Sequence, residues 1–594
     1  MTQSPRASDP DPQRITGQQE YRTALTDLRV ARGIKSLKEF ERVSEARGKR
    51  LPQATVSQNL NKHPLPDRAF VCDYLRACGL TDAEQESWMQ AWDTLHGGRR
   101  RWWQSPGRWI KSAAGRLDRN AVRQLVRRRW PVMGVALVVV AAGLTTGTYS
   151  WNHCWTFNPD LSAQHGECTG VTDGSDGADV FGAGLAPVLK ALKAENDDAG
   201  HEGAVTLALL TPLGSVDSDK DLTLHQYIRE AEGAYTALEQ ANQQGNRPKI
   251  RLLLANMGSG EQQWRQVVDR LKTTDGLVGV IGLGLSQQES VQAARHLSTA
   301  GIPMVADLIT ADGFDTTGTI DHEGPIKGLV RITQPNALQL AALATHIPPG
   351  THTAALVRSS VTPNGTTDLG TKTLDHDFRT VDGVRKYLSK SSPDFEFNPL
   401  GGAKAIMPTI TQNLCNTGQR IDLVYYAARA KYLPDFLDAL RHRSCHEQKI
   451  TVLAGSDAAA VDPGLPAFHD KGAPVTLLYA NYPTPAWLSS SNNRDRDLYL
   501  GFVNAFTAAH HGQQFPASDL TGSYWALLGH DAVLTAATAI HNAAANTNGT
   551  PPSRYDVSNQ LYALTNDAVP GASGRFGIDQ TGNRTNQNIT VHQD

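Results

Sequence analysis

The sequence predicts a two-lobed, doubly wound α/β domain that follows a small all-α domain and a single transmembrane helix. Three observations support this prediction. From residue 201 to residue 594, near-continuous apolar runs alternate with amphipathic stretches, as in parallel strands that helices cover on both faces. Residues 17–96 contain a series of short amphipathic helical patterns, and residues 131–149 contain no charged side chain.

The N-terminal part of the chain predicts a short disordered tail, residues 1–16, followed by a helical bundle over residues 17–96. In the second helix of the bundle, Ser36 precedes Glu39 by three residues, which is the spacing of a capping box. The five expected helices lie within these stretches: "EYRTALTDLRVARG", "SLKEFERVSEARGK", "LPQATVSQNLN", "PDRAFVCDYLRACG" and "DAEQESWMQAWDTL".

This order of short helices resembles the helix-turn-helix domain of lambda-repressor-like regulators, in the version common in actinobacterial proteins. In that family the third helix enters the major groove of DNA. Amide and hydroxyl side chains can contact bases and phosphates, so the resemblance implies DNA contacts from Gln53, Thr55, Ser57, Gln58 and Asn61. The helix is poor in arginine, whereas phosphate neutralisation supplies much of the affinity for DNA. Docking onto a cytoplasmic protein is therefore the alternative.

The uncharged segment predicts a membrane span over residues 130–151. A helix needs about 20 apolar residues to cross a bilayer, and the run begins too far along the chain for a secretory signal peptide. A buried core helix is the alternative. Arginines crowd residues 97–129, whereas residues 152–168 contain no Lys or Arg. Because basic flanks stay in the cytoplasm, we expect a single-pass cell-membrane protein whose C-terminal domain is extracellular.

The basic segment 97–129 stands out in a chain whose 57 basic and 59 acidic residues nearly balance. It contains three tryptophans among its arginines, a mixture that favours contact with anionic lipid headgroups. Non-specific attraction for nucleic acid is the alternative. Within the span, Gly143 and Gly147 form a G-x-x-x-G pattern, which is compatible with a homodimer.

The six cysteines divide between the two expected compartments. Cys72 and Cys78 lie on the cytoplasmic side and should be reduced. The other four lie outside, where an even number suggests disulfides. We expect neighbours to pair, although the sequence alone leaves two other connectivities open; the expected pairs are Cys154–Cys168 and Cys415–Cys445.

No catalytic or metal-binding motif accompanies these features. The stretch "GLGLSQ" differs from a dinucleotide fingerprint because Gln287 stands in place of its third glycine. A G-x-S-x-G elbow and an H-E-x-x-H pair are absent from the sequence. His442 and His446 flank Cys445, but no second ligand cluster accompanies them. We therefore expect no enzyme activity, metal or cofactor.

The external region predicts a linker, residues 152–200, and then two similar series of strands and helices in a ligand-binding domain, residues 201–594. Two lobes built in the same way suggest a cleft between them. The first series of strands lies in "AVTLALLTPL", "KIRLLLANMGSG", "LVGVIGLGLS" and "IPMVADLIT", and the second in "TAALVRSS", "IDLVYYAARA" and "KITVLAGSDA".

Residues 200–592 resemble the type I periplasmic binding proteins, especially their branched-chain amino-acid branch. The resemblance rests on "IDLVYYAARAKYLPDFLDALR", "GHDAVLTAATAI" and the closing "GASGRFGIDQTGNRTNQNITV". The stretch "HGECTGVTDGS" looks like the juxtamembrane lead-in of membrane-tethered actinobacterial relatives. The resemblance implies a small-molecule ligand, held by loops at the carboxyl ends of strands in both lobes.

Carried over residue by residue, the resemblance implies six ligand contacts. Ser286 and Gln287 lie at a helix start, and Thr310 lies where the family uses a hydroxyl for the ligand carboxylate. Asp457 takes the place of the acid that binds the ligand ammonium. Arg429 lies near the place of a family aromatic. The sixth candidate contact, Ser359, stands in a segment where this sequence departs from the family pattern.

One segment departs from the family pattern. The usual Asp and Tyr after the first strand of the second lobe are replaced by "VRSSVTPNG". If Arg358 and Arg429 both faced the cleft, they would favour an acidic ligand. The alternative is that these arginines pair with Asp307 or Asp457 in a structural network.

Taken together, these features predict a membrane-anchored receptor that binds an amino-acid-like or acidic solute outside and signals to a cytoplasmic helix-turn-helix domain. The alternative is a tethered substrate-binding protein of an ABC transporter, with the N-terminal domain as a docking module. An internal helical anchor and a cytoplasmic helical domain are not needed for transport. A scaffold whose cleft has lost its ligand is a third interpretation.

Overall fold

The computed structural model describes residues 10–92 and 154–594, apart from the gaps given at the end of this paragraph. The chain divides into two compact units, Met1–Gly134 and Val135–Asp594. The basic segment 97–129 and the span 130–151 lie outside the described residues. No helix among the residues that are described is long and apolar enough to cross a membrane. The gaps are residues 11, 13–14, 16–17, 47–50, 62–67, 81–84, 86, 90, 155, 165–166, 201–202, 214–221, 363–364, 400–401, 522–523 and 548–549.

Unit 1 is a helical bundle around a single apolar core. Tyr21, Phe40, Val56 and Tyr74 are buried in that core, and the Tyr21 hydroxyl donates to the Trp88 carbonyl at 2.8 Å. The first four helices are α1 (Gln18–Ala31), α2 (Leu37–Ala46), α3 (Gln53–Asn61) and α4 (Arg68–Ala77).

The predicted N-cap of α2 is present, with one difference. The Glu39 N–H donates to Ser36 Oγ at 3.1 Å. The Glu39 carboxylate accepts from the Lys35 N–H at 3.0 Å, one residue before the position that a capping box uses. Two side chains, those of Ser36 and Glu39, therefore fix the beginning of α2 by accepting backbone N–H groups.

The described part of unit 2 contains two large sheets, and the first organises lobe 1. Its strand order is β1-β2-β4-β3-β5-β6-β7, with β3 to β7 parallel and a β1–β2 hairpin added antiparallel at the edge. The strands are β1 (Leu161–Gln164), β2 (Glu167–Thr172), β3 (Val205–Thr211), β4 (Ile250–Asn256), β5 (Leu277–Gly282), β6 (Met304–Ala306) and β7 (Leu329–Arg331).

The β1–β2 hairpin corrects the prediction that residues 152–200 form a linker. Strand β2 pairs with β4, and a helix at Ala186–Ala199 packs on the same lobe. An edge strand needs no continuous apolar run, so the polar, glycine-rich sequence did not predict it. Gly170 is required here, because a Cβ atom would lie 2.0 Å from the Asp160 carbonyl oxygen.

The second sheet organises lobe 2. Its order is β17-β12-β11-β10-β8-β9, and every neighbouring pair is parallel except β12–β17. Its strands are β8 (Ala354–Arg358), β9 (Asp394–Glu396), β10 (Leu423–Ala427), β11 (Ile450–Ala454), β12 (Val475–Asn481) and β17 (Thr590–Gln593). Two short hairpins belong to lobe 1: β13 (Ala509–His510) with β14 (Gln513–Gln514), and β15 (Val569–Gly571) with β16 (Gly574–Phe576).

Helices cover both sheets. Those of lobe 1 are α5 (Ala186–Ala199), α6 (Leu222–Gln243), α7 (Trp264–Lys272), α8 (Gln288–Thr299), α14 (Pro485–Leu488), α15 (Arg496–Phe506), α16 (Trp525–Asn546) and α17 (Arg554–Ala563). Those of lobe 2 are α9 (Asn336–Ala344), α10 (Leu369–Thr380), α11 (Ala403–Cys415), α12 (Leu433–Arg441) and α13 (Pro466–His469).

The chain crosses between the lobes three times: after β7, after β12 and before β17. The crossing segments are hydrogen-bonded to one another. Tyr482 Oη donates to the Ile332 carbonyl at 2.9 Å, and Gln334 Nε2 donates to the Gln587 carbonyl at 2.8 Å. The predicted mixed α/β fold with parallel sheets is therefore confirmed.

Two glycines let the long helices of lobe 1 approach closely. A Cβ atom on Gly233 of α6 would lie 1.8 Å from the Ala526 carbonyl oxygen. A Cβ atom on Gly529 of α16 would lie 2.2 Å from the Glu230 carbonyl oxygen. The contact between α6 and α16 thus depends on backbone touching backbone.

Both expected disulfides are present. Cys154 is bonded to Cys168, which ties the segment before β1 to β2, and Cys415 is bonded to Cys445 at the end of α11. The other two cysteines, Cys72 and Cys78, are not in a disulfide.

A pair of buried carboxyl groups lies in the core of lobe 1. Glu230 of α6 and Asp307 after β6 are both completely buried, and the charge of Asp307 acts on Glu230. Burial raises the pKa of Asp307 to about 7, and burial together with the Asp307 charge raises the pKa of Glu230 well above its usual range. Two such carboxyl groups share a proton rather than both ionising.

This pair predicts that the protein loses stability as the pH rises from acidic values to neutrality. A carboxyl group that holds its proton more tightly when folded loses its stabilising contribution as the pH rises from about 4 to about 7. Asp307→Asn removes that titration, so the melting temperature of the variant should fall less over this range than that of the unchanged protein. Differential scanning calorimetry of the full chain measures both curves.

Asp497→Asn is the control, because the Asp497 side chain is 94% exposed. This variant should keep the pH dependence of the unchanged protein. Parallel curves for Asp307→Asn and the unchanged protein would exclude the shared proton.

Candidate functional site

The candidate site is built first from two loops of lobe 1. Ser286 follows β5, and its Oγ accepts hydrogen bonds from the N–H groups of Thr310 at 3.0 Å and Ala311 at 3.1 Å. A hydroxyl has two lone pairs and one proton, so Ser286 still has its O–H to donate. The Ser286 side chain therefore joins the loops after β5 and β6 and offers one donor.

The buried acid Glu261 is hydrogen-bonded to the loop that follows β5. The Glu261 carboxyl group accepts from the Leu285 N–H at 2.8 Å and from Ser290 Oγ. Burial raises the pKa of Glu261 to about 8, so the group is mostly protonated at neutral pH. Gly284 must be glycine, because its φ is +68° and a Cβ atom would lie 2.3 Å from Glu261 Oε1.

Lobe 2 contributes an ion pair. After β10, Arg429 Nε donates to Asp368 Oδ2 at 2.6 Å and Arg429 Nη2 donates to Asp368 Oδ1 at 2.8 Å. The Asp368 side chain is 3% exposed and that of Arg429 is 18% exposed. Asp368 also caps α10, where its Oδ1 accepts from the Thr371 N–H at 3.1 Å. This bidentate geometry is the strongest that a guanidinium and a carboxylate can form.

A second acid of lobe 2 approaches the same guanidinium. Asp457 Oδ2 accepts from the Ala430 N–H at 2.9 Å. Burial raises the pKa of Asp457, while the charge of Arg429 acts in the opposite direction. Two carboxyl groups thus flank one arginine, which leaves the lobe 2 side of the site without an excess of positive charge.

The two lobes touch at this place through their backbones. The Gly370 N–H donates to the Ser286 carbonyl at 2.9 Å, and the Gln288 N–H donates to the Thr367 carbonyl at 3.3 Å. Gln287 and Asp368 form an isolated antiparallel bridge. A Cβ atom on Gly370 would lie 3.0 Å from Arg429 Nη2. The two lobes are therefore closed against each other at this point.

Two buried polar atoms at this junction have no hydrogen-bond partner within the described part of the chain. They are Gln287 Oε1 in lobe 1 and Ser359 Oγ in lobe 2. Buried polar groups are nearly always satisfied. An unsatisfied amide oxygen and an unsatisfied hydroxyl at a junction between lobes are therefore atoms that a bound molecule could satisfy.

The structure brings the six candidate ligand-binding residues together around Asp368 and Gly370. Gln287 bridges Asp368, and the Asp368 N–H donates to the carbonyl of Ser360, next to Ser359. Through the contacts already described, the six residues belong to one cluster: Ser286, Gln287, Thr310, Ser359, Arg429 and Asp457.

Arg358 does not share in this cluster. Its Nε donates to Asp394 at 2.8 Å, and its Nη2 pairs with Glu396 at 2.9 Å. Arg358 pairs with neither Asp307 nor Asp457. Arg429 forms its direct ion pair with Asp368, while the charge of Asp457 acts on it as a second, weaker partner. The structure thus leaves at most one arginine, already paired, for an acidic ligand.

Three residues of the site were not found from the sequence. Asp368 had a signal, since an aspartate directly before an amphipathic stretch is a typical N-cap. Glu261 had none, because nothing in its neighbourhood distinguishes a buried acid from an exposed one. Gly370 became important only through the approach of the other lobe.

The five candidate DNA-contacting residues of unit 1 all lie on α3. Gln53 and Thr55 are exposed, and Ser57 is half-buried. Gln53 Nε2 donates to Glu41 Oε2 of α2 at 3.0 Å. The structure therefore places three of these polar side chains on α3 and gives one of them an intramolecular partner.

The ion pair at the junction makes a testable prediction. Asp368→Asn would leave the Arg429 guanidinium buried against a neutral group, and removing one partner of a buried pair costs about 3 kcal/mol. We expect the free energy of unfolding of unit 2 to fall by about that amount in urea titrations. The matched control is Asp382→Asn, which breaks the exposed Arg385–Asp382 pair and should cost less than about 1 kcal/mol. Equal losses for the two variants would contradict the role of the buried pair.

No protein-family model matches the chain, and no curated protein matches it. Similar solved structures include an ABC transporter substrate-binding protein from Desulfitobacterium hafniense in complex with Leu (17% identity, 66% of this chain and 97% of that chain, TM-score 0.47). A branched-chain amino acid transporter substrate-binding protein from Streptococcus pneumoniae in complex with isoleucine is 14% identical. The match covers 66% of this chain and 100% of that chain, with a TM-score of 0.44. A type 1 periplasmic binding protein from Bordetella pertussis is 14% identical. The match covers 65% of this chain and 96% of that chain, with a TM-score of 0.48.

Proposed function

We propose that unit 2 binds a small amino-acid-like solute between its lobes. One observation carries this proposal: strand-end residues of both lobes meet at a buried junction where Gln287 Oε1 and Ser359 Oγ have no partner among the described residues. A molecule that satisfies one atom from each lobe would stabilise the closed arrangement. Ligand binding and lobe closure would then be the same event.

The charges of the junction support a zwitterion rather than a dianion. Arg429 is already paired in a bidentate manner, and Arg358 is paired elsewhere. Asp457 offers a carboxylate for an ammonium group, and Ser286 offers its O–H for a carboxylate oxygen. An amino acid carries both groups, whereas a purely acidic solute would meet Asp368 and Asp457 with too little positive charge to balance them.

The wider function that we propose is that of a membrane-anchored receptor. The uncharged segment 130–151 would cross the membrane, with unit 2 outside and unit 1 in the cytoplasm. Closure of the lobes outside the membrane would change how the unit 1 domains of two chains pair in the cytoplasm. A tethered substrate-binding protein of an ABC transporter would bind the same solute but would give unit 1 only a docking role.

Isothermal titration calorimetry of the full chain tests the ligand. We expect one of the common amino acids to bind with a stoichiometry of one per chain, and dicarboxylates without an amino group to bind more weakly. Ser359→Ala and Gln287→Ala should each weaken binding about tenfold, which corresponds to one lost hydrogen bond of about 1.4 kcal/mol.

Ser389→Ala is the control, because Ser389 is an exposed serine of lobe 2 whose hydrogen bonds go to neighbouring serines. The Ser389→Ala variant should bind the amino acid with the same affinity as the unchanged chain. Absence of heat with the whole amino-acid set, or equal affinity in all three variants, would contradict this site.

For unit 1 we propose sequence-specific DNA binding through α3. In gel-shift assays with residues 1–98 and genomic fragments, one fragment should stay retarded at moderate salt while the others are released. The double variant Gln53→Ala and Thr55→Ala should weaken that complex about tenfold, through loss of base contacts. Arg76→Ala, on the exposed side of α4, is the control for general charge. Retardation that disappears uniformly with salt would favour protein docking instead.

A further inference from the structure

Three metal-ligating side chains converge on the surface of lobe 1, away from the junction. They are Glu195 of α5, Glu239 of α6 and His511 of the turn between β13 and β14. One ligand atom of each lies within 4.8 Å of the other two. His511 Nε2 and Glu195 Oε2 are 3.2 Å apart.

The separation of these atoms matches a coordination sphere. Zinc binds imidazole nitrogen and carboxylate oxygen at about 2.0–2.1 Å, so two ligand atoms on a tetrahedral ion lie about 3.3 Å apart. The His511–Glu195 pair already has that spacing. A shift of at most about 1.5 Å in a side chain would bring the third atom, which lies within 4.8 Å of the other two, to the same spacing.

Other side chains hold the two carboxylates in place. Asn242 Nδ2 donates to Glu195 Oε1 at 2.7 Å, and Asn242 is itself fixed by two bonds to the backbone of Ile250. His510 Nδ1 lies 2.8 Å from Glu239 Oε2. Hydrogen-bonded partners behind the ligands are a regular feature of metal sites, because they orient the coordinating atoms.

The position of the cluster provides access for an ion and for water. The Glu195 side chain is 9% exposed, whereas His511 is 28% exposed. Three protein ligands from three separate elements leave a fourth position open on the exposed side. A nitrogen donor with two carboxylates favours a transition metal over Ca²⁺ or Mg²⁺, which prefer oxygen ligands throughout.

We propose that Glu195, Glu239 and His511 form a site for a divalent transition-metal ion, with Zn²⁺ as the representative ion. The ion binds through one oxygen of each carboxylate and through His511 Nε2, and water completes its coordination. It joins the β13–β14 turn to α5 and α6, and it therefore stabilises lobe 1 without contacting the solute junction.

The test uses the full chain after treatment with a chelator. We expect ZnCl₂ to bind with a stoichiometry of one per chain in calorimetry and to raise the melting temperature of unit 2. Co²⁺ in the same site should give the intense visible absorption of a tetrahedral or five-coordinate ion rather than the weak bands of the hydrated ion. CaCl₂ at the same concentration should cause no comparable shift.

The decisive variants remove ligands singly. His511→Ala changes a partly exposed turn residue and should lower Zn²⁺ affinity at least about tenfold, and Glu195→Gln should do the same. His442→Ala is the control, because His442 is an exposed histidine of lobe 2. Zn²⁺ affinity that is unchanged in His511→Ala and Glu195→Gln, or failure of Zn²⁺ and Co²⁺ to bind the unchanged chain, would overturn the proposal and leave an ordinary ion pair between His511 and Glu195.

Discussion

The arrangement of the junction depends on the placement of Asp368. Its carboxylate binds Arg429 with two hydrogen bonds and caps the first turn of α10, and its backbone bridges Gln287 of the other lobe. One side chain thus fixes a helix, a guanidinium and the approach of two lobes. Since the carboxylate is almost completely buried, each of these contacts is formed in a medium where an unpaired charge is costly.

Buried charge is also used at the crossings between the lobes. Asp531 of α16 accepts from the N–H groups of Ala572 at 2.7 Å and Ser573 at 3.1 Å, which holds the β15–β16 hairpin against the helix. Arg584 lies over the Phe576 ring at 4.1 Å and donates to Ser573 Oγ at 2.6 Å. Hydrogen bonds from the buried His530 and Ser573 lower the pKa of Asp531 although its burial acts in the opposite direction. These contacts tie the β15–β16 hairpin and Arg584 to α16, close in sequence to the crossing before β17.

Much of the fold followed from sequence because its physical signals are local. A central parallel strand such as Val205–Thr211 is buried on both faces and must be apolar throughout. The cysteine pairs followed from the compartment expected for them and from their proximity in the sequence. The β1–β2 hairpin gave no such signal, because its pairing with β4 joins residues about 80 positions apart and its edge position permits polar side chains.

The site followed from sequence only in part. Loop ends of parallel strands meet at one edge of a sheet, so Ser286 and Asp457 could be placed in the same region. The partner of an arginine cannot be predicted from strand order alone. Arg429 and Asp368 are 61 residues apart in the sequence and meet because α10 packs against the end of β10. Arg358 shows the same limit, because a strand from a different part of lobe 2 supplies its carboxylates.

The triple crossing has a consequence for synthesis of the chain. Helix α6 of lobe 1 packs along α16, yet about 280 residues separate them, and all the strands and helices of lobe 2 except β17 lie between. Lobe 1 therefore cannot complete its core until α16 has left the ribosome, whereas most of lobe 2 is encoded without interruption from α9 to β12. In a nascent chain lobe 2 can therefore complete most of its core before lobe 1 does, and the apolar face of α6 that packs on α16 stays uncovered until the C-terminal segment is made.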